Sequence, residues 1–285
     1  VVARLPDDVD GYTWTPDGRQ LCGVLAGAPA PVVLVVAGLD GRPEQLRLAP
    51  LFTGVRYSNI GLLACDPRHA RAVLQTSYQH VTSVAVVSLS DGAVLAEHDF
   101  ADTGPGFPDR ATPVVSGVVA SPDGRYLAVL HAIAEPPGAE PPGAPPAAAA
   151  TAASTAGPPG AVATVPTGGL AAPVPAYLDV FDIGHPALPV ARLAGAQSAA
   201  FSGDGSLLAE QLPQAHGGAV SRVVRWSDGR VVWRSSATLA GEAGSPGVHR
   251  IALETYQPGQ PSDQIVLVGA DGQAIPVAAG WLAVP

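Results

Sequence analysis

"VVASPDGRYLAVL", residues 118–130, joins two apolar runs through a tight Ser-Pro-Asp-Gly corner. Pro presets φ at the first corner position, Asp bonds its own backbone, and Gly supplies positive φ. An Asp-Gly pair between apolar runs is the strongest short-range hairpin signal. The phrase recurs as "TWTPDGRQLCGVL" (13–25), "LLACDPRHARAVL" (62–74) and "AAFSGDGSLLAEQ" (199–211). A second tight turn follows in each unit: "GLDGRP" (38–43), "LSDGAVL" (89–95), "VFDIGHPALPV" (180–190) and "WSDGRVVW" (226–233), with "GADGQAI" (269–275) in a further one.

Two hairpins make four strands, and a four-stranded unit repeating every ~45–50 residues marks propeller blades. The fold expected is therefore all-β: a single β-propeller domain over 1–285, built of four-stranded antiparallel blades. Blades are placed at 11–48, 57–100, 114–193, 196–236 and 245–285. The fifth lacks an evident innermost strand. "VVARLP" and "WLAVP" at the two ends are expected to complete a blade between them, or to build a sixth, so that the ring closes without an open sheet edge.

On this reading the repeated aspartates and glycines are turn residues, not chemistry: Asp17 and Gly18, Asp91 and Gly92, Asp123 and Gly124, Asp204 and Gly205, Asp228 and Gly229, Asp271 and Gly272. Asp40 belongs with them.

"SPDGRYLAVL", followed downstream by "YLDVFDI" (177–183), resembles the blade phrase of TolB-like, YVTN and WD-repeat propellers. The resemblance covers nearly the whole chain outside 134–176 and implies a fold without implying a ligand. Unit two departs from the pattern with "CDPRHA", and no Trp-Asp dipeptide occurs. The resemblance also implies a geometry in which the tight turns share one face. The longer connections then share the other, where function usually sits.

Residues 134–176 interrupt blade three with eleven prolines, two charges and no aromatic residue. Such a segment buries too little apolar area to offset its ordering entropy, and is read as a flexible, partly polyproline-like loop.

The chain has 285 residues, a formal charge of −9 and fifteen Lys+Arg that are all Arg. That balance argues against a nucleic-acid partner. No run of eighteen apolar residues is present, so no membrane insertion by this segment is expected. The Arg-only, Ala-, Gly- and Pro-rich composition is that of a GC-rich bacterial genome.

Motifs for nucleotide, zinc-protease or serine-hydrolase chemistry are missing. "DDVDG" (7–11) imitates a calcium loop but has Pro6 where the first ligand belongs, and His80, His185 and His216 have no partner at ligand spacing. Neither metal nor cofactor is expected. Trp14, Trp226, Trp233 and Trp281 read as packing residues. A five-bladed sugar hydrolase needs paired carboxyls. The innermost strands "DGYTWT", "NIGLLA", "VVSGVVA" and "QSAAFS" offer only Asp10, which makes a carbohydrate-active hydrolase the alternative.

The first reading is a monomeric, non-catalytic binding or sensing module for a protein or peptide, in an extracytoplasmic setting. Its candidate contacts are Phe52, Arg56, Tyr57, Tyr78, His80, Phe107, Asp109, Arg110 and His216, because aromatics and Arg carry interface energy. Phe52, Tyr57 and Phe107 have a second reading, as plugs in the seams between blades. Cys22 and Cys65 fall near one rim of neighbouring blades, which leaves a disulfide and two free buried thiols both open.

Overall fold

The computed structural model describes residues 11–17, 19–25, 33–38, 43–52, 60–78, 81–101, 112–134, 174–213, 219–244, 249–256 and 263–279. These form twenty strands in five four-stranded antiparallel sheets, arranged as propeller blades. Blade one holds β1 (Gly11–Trp14), β2 (Gln20–Leu25), β3 (Val33–Gly38) and β4 (Glu44–Arg47). Blade two holds β5 (Ile60–Asp66), β6 (Arg71–Tyr78), β7 (Val81–Ser88) and β8 (Val94–Ala101). Blade three holds β9 (Thr112–Ala120), β10 (Tyr126–Ala134), β11 (Val174–Asp182) and β12 (Ala191–Ala194). Blade four holds β13 (Ser198–Phe201), β14 (Leu207–Pro213), β15 (Ala219–Arg225) and β16 (Arg230–Ser235). Blade five holds β17 (Thr238–Gly244), β18 (Arg250–Tyr256), β19 (Gln264–Gly269) and β20 (Ala274–Ala279). Strand order follows chain order in every blade. Among the described residues no helix is long and apolar enough to cross a membrane.

Two expected boundaries move. Blade five starts at Thr238, not 245, and takes its innermost strand from "TLAGEAG" instead of from a chain end. The two end segments themselves lie outside the described residues. In blade three, β10 ends at Ala134 and β11 begins at Val174, so both strands run slightly into the segment 134–176 expected to be a loop. Residues 135–173 are outside the described part.

Blades two, three and four bury apolar side chains on both faces, because each has a neighbouring sheet on either side. In β6, Ala72 and Leu74 face blade one, while Val73 between them faces blade three. In β14, Leu208 meets blade three and Leu207 meets blade five. This two-sided burial explains why the second and third strands read as continuous apolar runs, not as alternation. Each fully buried leucine here contributes about 1.5–3 kcal/mol.

The first turn of the blade is held by a residue that precedes the aspartate. Thr15, Ser121 and Ser202 are at most 1% exposed. Each donates its hydroxyl to the aspartate two residues on: Thr15 to Asp17 at 2.7 Å, Ser121 to Asp123 at 2.5 Å, Ser202 to Asp204 at 2.6 Å. The same oxygens accept the N–H of the first residue of the next strand, from Gln20, Tyr126 and Leu207 at 3.1, 2.8 and 2.9 Å. The aspartate then accepts the N–H two residues beyond itself, as Arg125 donates to Asp123 at 3.1 Å. Gly124 closes the corner at φ +61°. In blade two Asp66 takes the Ser/Thr place, accepting from Arg68 N at 3.0 Å, and Ala70 supplies the positive φ.

The second turns of four blades each close on an aspartate carboxylate. Ala93, Arg230, Gln273 and Gly184 donate their N–H groups to Asp91, Asp228, Asp271 and Asp182. Gly18 and Asp40 lie outside the described residues.

Candidate functional site

Antiparallel order puts the first-to-second and third-to-fourth turns of every blade on one face. The second-to-third and blade-to-blade connections fall on the other. The two faces differ in what their side chains do.

On the turn face the first turns of successive blades are joined to one another. Arg68 of blade two lies 3.5 Å from Asp17 of blade one. The Arg71 guanidinium donates to the Asp123 carbonyl of blade three at 2.9 Å. Gly205 of blade four sits against Ser121, and His249 of blade five pairs with Asp204 of blade four. Hydrogen bonding holds the turn acids in their charged form: the Thr15 hydroxyl lowers the Asp17 carboxyl and the Ser88 hydroxyl lowers that of Asp91. At Asp204 burial pushes the other way, but Ser202, His249 and Ser206 together outweigh it and leave the carboxyl lowered. These aspartates are engaged in hydrogen bonds within their turns and across blades.

On the loop face the described residues end where most of the candidate contacts begin. Arg56, Tyr57, His80, Phe107, Asp109, Arg110 and His216 lie outside the described residues, and Tyr78 is described only as the last residue of β6. Phe52 is 2% exposed and packs with Leu48, Leu51 and Ile60 in the core between blades one and two, which is the seam-plugging role. Two of the second-to-third connections are short, because their ladders continue through polar sequence. Within "QTSYQHVTS" (75–83), β6 and β7 pair up to Tyr78 with Val81. Within "QLPQAHGGAVS" (211–221), β14 and β15 pair up to Pro213 with Ala219.

Sequence reasoning missed the buried charges. Glu210 on β14 is fully buried, and its Oε2 accepts from Arg222 Nε, its cross-strand partner on β15, at 2.5 Å. Its Oε1 is buried without a hydrogen-bond partner. Asp179 on β11, 4% exposed, takes a bidentate pair from Arg192 on β12. Both pairs are in-register neighbours of one sheet. The sequence signal was present as opposite charges at matching positions, but it needs the register to be read. Among the described residues no group of three His, Cys, Asp or Glu side chains could hold a metal ion.

Burial raises the Glu210 carboxyl above its ordinary value, and Arg222 only partly opposes it. A raised acid stabilises the fold fully below its unfolded value and loses that contribution as pH rises through the folded one. A tenfold difference in proton affinity between the folded and unfolded chain is worth about 1.4 kcal/mol. Glu210→Gln, which cannot ionise, is therefore expected to gain on wild type as pH rises. Melting temperatures of the two proteins, measured side by side from acid to neutral pH, should diverge in favour of the variant. A difference independent of pH would mean that folding leaves the Glu210 carboxyl unshifted, and one that moves towards wild type as pH rises would mean that Arg222 outweighs burial.

No protein-family model matches the sequence, and a search of curated proteins finds no match. Solved structures do match in fold. A hydrazine synthase of Kuenenia stuttgartiensis is 15% identical, with a TM-score of 0.49, over 97% of this chain and 67% of that one. TolB from Acinetobacter baumannii is 12% identical, TM-score 0.47, over 95% of this chain and 54% of that one. A periplasmic gluconolactonase of Pseudomonas aeruginosa is 18% identical, TM-score 0.41, over 98% and 86% respectively. What they share with this chain is the β-propeller architecture.

Proposed function

We propose that the chain is a non-catalytic binding module that holds a protein or peptide on its loop face, as a monomer and in an oxidising, extracytoplasmic compartment. The observation that supports it is the division between the faces. The described aspartates of the repeated phrase are engaged in turn and interblade bonds, whereas the aromatic and Arg candidates outside the core belong to the loop-face connections. A hydrolase of the two-carboxyl kind needs both acids across one bond. Asp179 and Glu210, two of the four buried acids among the described residues, instead face their own arginines in different blades. The disulfide between Cys22 and Cys65 supports the choice of compartment, since such bridges persist where thiols are not kept reduced.

The test is a comparison of wild type with Tyr78→Ala/Arg110→Ala. Retention of a partner from a cell-envelope extract by wild type, lost in a variant that melts within about 4 °C of it, is the expected result, since two substitutions that cost only ~0.5 kcal/mol each move a chain of this size by about 2–4 °C. Turnover of a glycoside or sugar-lactone panel by the purified chain would replace the binding reading with the hydrolase.

A further inference from the structure

Arg192 is held in a way a cross-strand ion pair does not require. Its Nε donates to Asp179 Oδ1 at 2.7 Å and its Nη2 to Oδ2 at 2.8 Å, so the guanidinium lies flat against a buried carboxylate. Its Cζ also stands 4.3 Å from the centre of the Tyr177 ring. Tyr177 in turn stacks on His131, with ring centres 4.4 Å apart and planes 25° apart. The register makes this possible: Tyr177 pairs with Ala194, whose small side chain leaves the diagonal position open for Arg192 to cross. His131 Nε2 is 3.8 Å from Asp179 Oδ2, which places the same acid beside both groups that stack on Tyr177.

The Arg192 side chain nevertheless remains 60% exposed, against 5% for Asp179. A guanidinium has five N–H donors in a rigid fork. Asp179 takes one from Nε and one from Nη2, leaving both hydrogens of Nη1 and one of Nη2 along the opposite edge. That edge is itself a two-pronged donor of the geometry that grips a carboxylate. Because the head group is already fixed by a bond pair and a ring, little rotamer entropy remains to be lost on binding.

We propose that Arg192, set on the outermost strand of blade three, is a preorganised anchor for a carboxylate group of a partner protein. The chain's charge of −9 disfavours loose accumulation of an acidic partner. That field is screened beyond ~8 Å at physiological salt. Recognition therefore rests on the local fork, and a single Asp or Glu side chain on the partner suffices to engage it. The proposal stands apart from the loop-face reading, and either can fail without the other.

The probe is sodium acetate, titrated against sodium chloride at constant ionic strength into the full chain. The readout is the arginine Nε–H resonances by NMR, with that of Arg192 assigned from its loss in Arg192→Lys. A saturable shift at Arg192, half-complete at roughly fivefold lower acetate than any shift at the exposed Arg230, is expected from a fixed fork. Tyr177→Leu should weaken the response about threefold or more while the protein stays folded, because it frees the guanidinium to rotate. A shift at Arg192 that is linear and matches Arg230 would overturn the proposal. So would a saturable response to phosphate with none to acetate, or an acetate response unchanged in Tyr177→Leu.

Discussion

Gly92→Ala is expected to lower stability by roughly 2–5 kcal/mol, while Gly229→Ala, at the matching turn of blade four, should cost only about 1–2 kcal/mol. Both glycines have positive φ, +73° and +69°. An L-residue there loses about 1–2 kcal/mol from the clash of its Cβ with the backbone. The two sites differ in what the Cβ would meet. At Gly92 it would fall 2.2 Å from the Arg47 carbonyl oxygen of blade one, whereas at Gly229 nothing lies within 4 Å. The Gly92 carbonyl also accepts the Ala49 N–H at 2.8 Å, so the turn cannot retreat without breaking a second interblade contact. Overpacking of this kind adds about 1–3 kcal/mol. Denaturant melts of the two variants decide the matter. Equal losses would mean that the third-to-fourth turn does not rest on the neighbouring blade.

The contrast between these glycines shows where sequence reading stops. Asp-Gly announces a turn at residues 91–92 and again at 228–229, and both turns are there. Nothing in either phrase says that one presses on Arg47 and the other faces open space. Four blades were legible because their strands carry Val, Leu and Ile around Pro/Asp/Gly corners. The inner strand of blade five was not. "TLAGEAG" has one large aliphatic residue, Leu239, and its pairing with β18 carries a bulge between Leu239 and Gly241. It is a strand by virtue of position in the ring, not propensity. The hairpin tip at 75–83 misleads for the opposite reason: Gln75, Ser77, Thr82 and Ser83 are polar enough to suggest a loop, yet they continue a ladder whose far end reaches solvent. The serine or threonine two places before the aspartate is visible in the phrases of blades one, three and four, but its paired hydrogen bonds, one to the carboxylate and one from the next strand, become recognisable only in the folded chain.

The candidate site was less legible than the fold. The pairs Glu210–Arg222 and Asp179–Arg192 depend on which residue stands opposite which across two strands. Glu210 and Arg222 face each other across β14 and β15, whose connection has no Asp-Gly corner from which to count. Asp179 and Arg192 face each other across β11 and β12, joined by the longer turn 183–190, whose length leaves the register open until the strands are paired.

Removing the disulfide is the other change expected to have a large effect. Cys22 on β2 and Cys65 on β5 are bonded across the seam between blades one and two, with Cα atoms 6.3 Å apart. Both are fully buried, within a cluster that includes Val24, Leu34 and Leu74. The bridge closes a loop of 43 residues in the unfolded chain. On the chain-entropy model a loop of that length stabilises the folded state by about 4 kcal/mol. Cys22→Ala/Cys65→Ala is accordingly expected to unfold with the midpoint lowered by on the order of 10 °C, since each kcal/mol moves a domain of this size by about 2–4 °C. Alkylation of wild type under denaturing, non-reducing conditions should label neither cysteine. Because both sulfurs are shielded, a reductant added to the native protein should act only at the rate at which the seam opens. Chain made in a reducing cytosol should then melt near the double variant and recover the wild-type midpoint on oxidation. Two labelled thiols in protein taken from its native compartment would remove the bridge. An unchanged midpoint in the double variant would mean that the core around Val24 and Leu74 holds this seam without it.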